Sequence, residues 1–283
     1  MPTIYSDKQA KTILSRASGY LDTGFTHSLN PYSGCAFACR YCYVREMPVQ
    51  TFKDEPWGDW VERKTNAAEL YVQEVRRLRR KNEPVRLFMS SATDPYQPIE
   101  REAKLTRQLL EAMLDAPPDF LQIQTRSPLV GRDLDLLILL NGQCQLLVSL
   151  TVETDREDMK RLFAPHAPAI QQRLKTLTAL HDAGITTQAA LSPVLPFTPA
   201  FPELLQGIVD RIWIDTLRIG DGTMGRRSKR LGMPELFAQE GLEAWYAEDI
   251  HLRIDRYFRK FFPDQMIRLS KTEAYPDETS GSR

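Results

Sequence analysis

The stretch NPYSGCAFACRYCYVR, residues 30–45, places Cys35, Cys39 and Cys42 at Cys-x3-Cys-x2-Cys spacing, while the fourth cysteine, Cys144, stands far downstream. Three clustered thiols and a remote one do not make the even framework of a disulfide-stapled secreted domain, and clustered thiols in a reducing compartment more often hold metal. A structural zinc site wants four ligands, usually as two short pairs, and here the local set stops at three with no histidine at pair spacing. An iron-sulfur cube also commonly takes four cysteines, yet three on one loop can hold three irons and leave the last open to another ligand. On spacing alone both metals remain open.

Working outward from that loop, short apolar or β-branched runs at 25–29, 85–89, 121–125, 145–150, 186–191 and 212–217 read as strands. Between them apolar residues recur three and four apart: Leu70, Tyr71, Val75, Leu78; Leu105, Leu109, Met113; Ile170, Leu174, Leu177. Chain terminators close these helices at Pro117-Pro118, Asn141-Gly142 and Gly184. Strand then helix, repeated, predicts a parallel sheet. Right-handed crossovers favour a partial (β/α)6 barrel of TIM type over residues 25–220, with a doubly wound open sheet as the alternative. Residues 1–24 read as a polar N-terminal extension. Residues 221–283 read as a helical C-terminal extension that packs on the barrel through Ile250, Ile254 and Phe258, with the closing YPDETSGSR loose.

Composition adds bounds rather than a function. The chain has 283 residues, 42% hydrophobic and 26% charged, enough for a large core. Its 37 basic and 37 acidic residues neither propose nor exclude a polyanionic partner. No apolar run approaches the roughly 20 residues that cross a bilayer, and the first residues lack the apolar centre of a signal peptide. The expectation is a soluble cytoplasmic protein with no membrane partner.

In parallel barrels the working groups follow the C-terminal ends of the strands. The cysteine loop follows the first run, then come SSATDPYQPIE, RSPLVGRD, TVETD, SPVLPF and RIGDG after the later ones. Hydroxyls, Asp94, Arg126, Arg218 and prolines therefore gather at one rim.

The cysteine loop resembles the Cys-x3-Cys-x-aromatic-Cys signature of the radical S-adenosylmethionine (SAM) superfamily, with Tyr41 in the aromatic slot. The segments NPYSGCAFACRYCYVR, SSATDPYQPIE, TRSPLVGRDLDLL, SLTVETD and SPVLPF together resemble the spore photoproduct lyase-like branch over about residues 25 to 220. That resemblance implies a [4Fe-4S] cluster on Cys35, Cys39 and Cys42, whose open iron binds SAM and whose electron cleaves it to a 5'-deoxyadenosyl radical for hydrogen abstraction. It implies a low-potential electron donor such as flavodoxin or ferredoxin, and nucleic acid as the leading substrate class. By position, Ser91, Thr93 and Asp94 would meet the SAM amino group. Arg126, Ser149 and Thr151 would lie near its ribose or carboxylate, and Tyr41 and the backbone around Val194 would flank the adenine. Gly34, Ala36 and Ala38 would let the loop backbone approach the cluster.

Two departures stand out. The lyase that repairs the spore thymine dimer carries a hydrogen-donating cysteine just before the Thr-or-Ser-Asp step, whereas this chain reads Ser90-Ser91-Ala92-Thr93-Asp94. Where related chains tend to show Glu-Pro, this one has Ala164-Pro165. A peptide- or metabolite-modifying radical enzyme, or a non-catalytic iron-sulfur or zinc protein, are the alternatives. Cys144 reads as buried packing, His27 as a core histidine, and RRLRRK, residues 76–81, as a solvated helix face. GRRSKR, residues 225–230, follows the last strand on the functional side, where it could meet the phosphates of a nucleic acid.

Overall fold

Every run expected as a strand forms one. In chain order the strands are β1 (Ile4–Lys8), β2 (Leu14–Arg16), β3 (His27–Leu29), β4 (Tyr32–Ser33), β5 (Trp60–Lys64) and β6 (Arg86–Met89). They continue as β7 (Phe120–Thr125), β8 (Gln145–Thr151), β9 (Thr186–Leu191), β10 (Arg211–Ile214) and β11 (Ile267–Leu269). The computed structural model describes residues 3–270, so the closing YPDETSGSR lies outside the described residues.

The larger sheet has eight strands in the order β11-β10-β9-β8-β7-β6-β3-β2. All its neighbours are parallel except the antiparallel edge pair β2 and β3. From β6 to β11 each new strand is added beside the last. A doubly wound sheet reverses its order part-way and this one does not, which makes it an α/β partial barrel of TIM type. A second, three-stranded sheet, β1-β5-β4, lies beside it, and β4 runs directly into the cysteine loop.

Helices cover the outer face. The helix Ala67–Arg80 buries Ala67, Tyr71, Val75 and Leu78 at spacings of four, four and three, and each large apolar side chain so buried contributes at most roughly 1.5–3 kcal/mol. With Leu109, Leu137 and Leu177 of the neighbouring helices they join Leu87, Met89, Leu121, Ile123, Leu146, Val148 and Leu150 of the strands in one core. Arg76, Arg77, Arg79 and Arg80 face solvent, as the pattern predicts, and Arg79 pairs with Asp119 at 2.8 Å. Inside the barrel a separate cluster of Leu21, Phe25, Phe88, Phe120 and Leu147 fills the space toward the strand starts.

The sequence pattern misses the sheet edges. β1 exposes every residue, and β2 and β11 are three residues long, too short for alternation to register. Residues 1–24 thus contain two strands, and residues 267–269 add a parallel edge strand beyond β10. The helix Ile250–Phe258 packs as expected, with Phe258 centred 5.6 Å from Phe197 and 6.0 Å from Phe201. Among the described residues no helix is long and apolar enough to cross a membrane.

Candidate active site

The cysteine loop has almost no regular structure, so other segments must satisfy its backbone. Gln97 accepts from the Ala36 amide at 2.9 Å and donates to the Gly34 carbonyl at 3.3 Å; Thr93 also donates to Gly34, at 2.5 Å. Arg45 donates to the Cys39 and Ala38 carbonyls at 3.0 and 2.9 Å, and the Arg40 amide donates to Phe163 at 2.9 Å. Gly34 has φ +80°, and a Cβ there would fall 2.4 Å from the Trp60 carbonyl oxygen. Gly58 has φ +108°, and a Cβ there would fall 2.4 Å from the Ala38 methyl. Gly34 and Ala38 are thus held small by the close approach of β5 and the segment before it. Ala36 packs beside Tyr32, Val61, Ile99 and Leu105.

This loop forms one wall of a cavity of about 230 Å³ at the C-terminal ends of the strands. Of the residues singled out by the sequence, Cys35, Cys39, Cys42, Tyr41, Ser91, Thr93, Asp94, Arg126 and Thr151 line it. Ser149 and Val194 do not. Ser149 is buried beneath it and accepts from Gln188 at 2.8 Å, while the Val194 amide donates to the Asp215 carbonyl at 2.8 Å. His27 also lies outside the lining, with Nδ1 2.9 Å from the Thr26 hydroxyl.

Burial pushes all three thiols up. Cys42 rises to about 11, Cys39 being the next contributor, and Asp94 adds to the rise of Cys35. Burial thus opposes the thiolate form in this wall, and the positive charge of a bound metal would favour it. Among the described residues no group of three or more His, Cys, Asp or Glu is arranged to hold a metal ion. The thiols share a cavity wall rather than a single coordination sphere. A cluster that binds each thiolate through a different iron fits such a wall.

The strand ends that line the same cavity carry charge. Asp94 accepts from the Tyr96 amide at 2.8 Å, the Thr125 hydroxyl at 2.6 Å and the Arg126 amide at 2.9 Å. A carboxylate has about four acceptor sites, so one remains for a ligand donor. Burial raises the Asp94 carboxyl above its ordinary range against the pull of these donors.

Behind Asp94 lies a buried ionic network, Arg126–Glu153–Arg173, that the sequence reading passed over. Arg126 Nη1 donates to Glu153 and, at 3.0 Å, to the Tyr41 hydroxyl, which itself donates to Glu153 at 2.6 Å. Arg173 Nη1 reaches Glu153 at 2.5 Å and the Thr151 carbonyl at 2.9 Å. Burial opposes ionisation of Glu153, but the two guanidinium groups outweigh it and hold the carboxyl at about 2. Burial is likewise the largest influence on Tyr41, whose phenol is pushed well above its ordinary range and stays a donor. Arg173 was detectable: it stands on the buried stripe of the helix Ile170–Asp182 between Ile170 and Leu177, where a cation needs a partner.

Two residues that line the cavity each carry a buried polar atom with no hydrogen-bond partner among the described residues: Trp57 Nε1 and Ser90 Oγ. Both side chains are at least nine-tenths buried. Buried donors in native proteins are nearly always paired, so these two point to a bound group.

The sequence model of the radical SAM superfamily matches residues 29–205. This chain belongs to the radical SAM superfamily. An uncharacterized protein of Methanocaldococcus jannaschii is 34% identical over 173 residues, which are 61% of this chain and 62% of that protein. An uncharacterized protein of Mycobacterium tuberculosis is 32% identical over 206 residues, 71% of this chain and 59% of that one. This chain thus spans about three fifths of the length of these curated relatives. Among solved structures, a spore photoproduct lyase complexed with dinucleoside spore photoproduct superimposes with a TM-score of 0.62, covering 94% of this chain and 81% of that one. At 16% identity the likeness is one of fold.

Proposed function

We propose that this protein is a radical SAM enzyme in which Cys35, Cys39 and Cys42 hold a [4Fe-4S] cluster and the facing strand ends hold SAM. The observation that carries this reading is the shared cavity, which three thiols line together with Ser91, Thr93, Asp94, Arg126 and Thr151. When bound, the two groups supply reductive cleavage of a sulfonium to a carbon radical that takes a hydrogen atom from substrate.

The chain's own residues bind, orient and exclude water. Asp94, fixed by three donors, offers its remaining lone pair to the SAM amino group. Arg126 spends Nη1 on Tyr41 and Glu153, and its other hydrogens suit the SAM carboxylate. Ser91 offers its hydroxyl oxygen to the SAM amino group as well, and Thr151 offers its hydroxyl to the ribose. The apolar floor of Phe88, Phe120 and Leu147 keeps bulk water from the strand starts.

For the substrate we propose a nucleic acid. Ser228, inside the basic helix Arg226–Arg230, lines the cavity, so that helix stands at its edge. Arg230 is paired with Glu46 at 2.5 Å, and Arg227 donates to the Asp221 carbonyl at 2.8 Å. Arg226, whose Nε donates to the Thr223 carbonyl at 3.2 Å, and Lys229 are exposed and would meet phosphates. With serines at positions 90 and 91, no thiol there returns hydrogen to a substrate radical, so this reading does not include dimer repair by that route.

Anaerobic reconstitution followed by reduction in the presence of SAM tests the enzyme assignment. Wild-type protein is expected to release 5'-deoxyadenosine and methionine, and Cys39→Ala to release neither. Intact SAM after reduction of fully loaded wild-type protein overturns it.

A further inference from the structure

We propose that the indole N–H of Trp57 donates a hydrogen bond to a sulfur of the cluster on Cys35, Cys39 and Cys42 and raises its reduction potential. The proposal rests on the cluster assignment above and deepens it.

Indole is a donor with no acceptor capacity, so Trp57 has one polar demand to meet. Its side chain is 5% exposed, lines the cavity, and finds no acceptor for Nε1 among the described residues. Leaving such a donor unpaired costs about 1–3 kcal/mol, a cost that a bound acceptor removes. The nature of that acceptor follows from what surrounds the ring. Trp57 packs in the apolar cluster that contains Cys35, Phe37, Cys39, Tyr41 and Val44. The next residue, Gly58, is pressed so closely on Ala38 that a Cβ would fall 2.4 Å from the Ala38 methyl. The chain carrying the indole is thus seated on the backbone between two of the three ligand cysteines. In that place the electron-rich atoms of a bound group are thiolate and sulfide sulfurs.

Trp60 supplies the internal comparison. Its ring lies 6.2 Å from that of Trp57 at 84°, in the same cluster and equally buried. Its Nε1 is already bonded to Gln50 at 3.0 Å, and its ring does not line the cavity. Of two neighbouring indoles, the one that belongs to the cavity lining is the one whose donor is unspent. Hydrogen bonds to cluster sulfurs are among the determinants of potential, because the donor's positive end stabilises the electron that reduction adds. Truncating the donor while keeping an aromatic ring removes that stabilisation.

The test compares wild type, Trp57→Phe and Trp60→Phe, each reconstituted anaerobically and assayed for iron and sulfide. EPR-monitored redox titration without SAM gives the midpoint of each. Deuteron couplings after exchange into heavy water report donors at the cluster. Trp57→Phe is expected to titrate at a more negative potential, with a several-fold lower reduced fraction at a fixed potential, and to lose one exchangeable coupling; Trp60→Phe is expected to match wild type in both. Wild-type protein labelled with indole-15N tryptophan needs no variant at Trp57 and is expected to show a nitrogen coupling that persists in Trp60→Phe. A loaded Trp57→Phe cluster with unchanged midpoint and couplings, equal shifts in both variants, or no nitrogen coupling in labelled protein overturns the proposal and leaves the cluster assignment standing. Wild type without iron and sulfide overturns both.

Discussion

Along β8, Leu146, Val148 and Leu150 turn toward the helices while Leu147, Ser149 and Thr151 turn into the barrel. Both rows are buried, yet they meet burial in different ways. The outward row is apolar from end to end and is stabilised by packing alone. The inward row changes along the strand, from Leu147 beside Phe88 and Phe120, through Ser149 bonded to Gln188, to Thr151 and then Glu153 between two arginines. The difference teaches where to look for function. Buried polar groups at the rim persist only with partners, and where the protein supplies none, as at Trp57 and Ser90, a ligand is implied.

Substitutions in the two rows can break this contrast. The largest expected effect is at Glu153, where replacement by Gln leaves Arg126 and Arg173 without their countercharge and should lower the unfolding free energy by about 3–5 kcal/mol in urea melts. That loss carries a pH signature. The folded carboxyl is held at about 2, below its ordinary 4.5, so its contribution is complete above the ordinary value and disappears as pH falls toward about 2. The stability gap between wild type and Glu153→Gln should close over that interval; a gap independent of pH would contradict the ionic account of the network.

Next comes the outward row. Leu150→Ala removes packing from a fully buried site and should cost about 2–5 kcal/mol of stability without weakening SAM binding to the loaded protein. Ser91→Ala should show the reverse. Its hydroxyl is held only loosely by Asn30 at 3.4 Å, so stability should hold within about 0.5 kcal/mol. The loss of a ligand hydrogen bond worth about 0.5–1.5 kcal/mol should raise the SAM dissociation constant roughly two- to tenfold by calorimetry. The smallest effect is on the exposed helix at the cavity edge. Replacing Arg226 and Lys229 together with Ala should leave folding unchanged and reduce the slope of log affinity for DNA against log salt by about 1–2; an unaltered slope would remove this helix from any nucleic acid surface.

The outward row was also the legible one. Its apolar runs, alternating with helical periods and closed by Gly and Pro, were enough to place the parallel strands and the barrel. The cysteine spacing marked the loop, and the position of each segment after a strand marked Asp94, Arg126 and Thr151 as rim residues. What stayed hidden depends on contacts between distant segments. Gly34 and Gly58 are set by close approach to Trp60 and Ala38, which no local pattern announces. Glu153 and Arg173 read singly as a loop acid and a helix cation, and only the fold joins them. Trp57 lies in an irregular segment with no periodicity at all, so its unspent donor is visible only once the cavity is formed.

The central claim is that three thiols on one wall hold a cluster whose open iron faces a SAM site. The most direct measurement is the EPR spectrum of anaerobically reconstituted, reduced protein recorded with and without SAM. An iron-sulfur signal that changes shape when SAM is added, and is absent in Cys39→Ala, is the predicted result. A protein that carries zinc without sulfide, or a cluster signal indifferent to SAM, would contradict it.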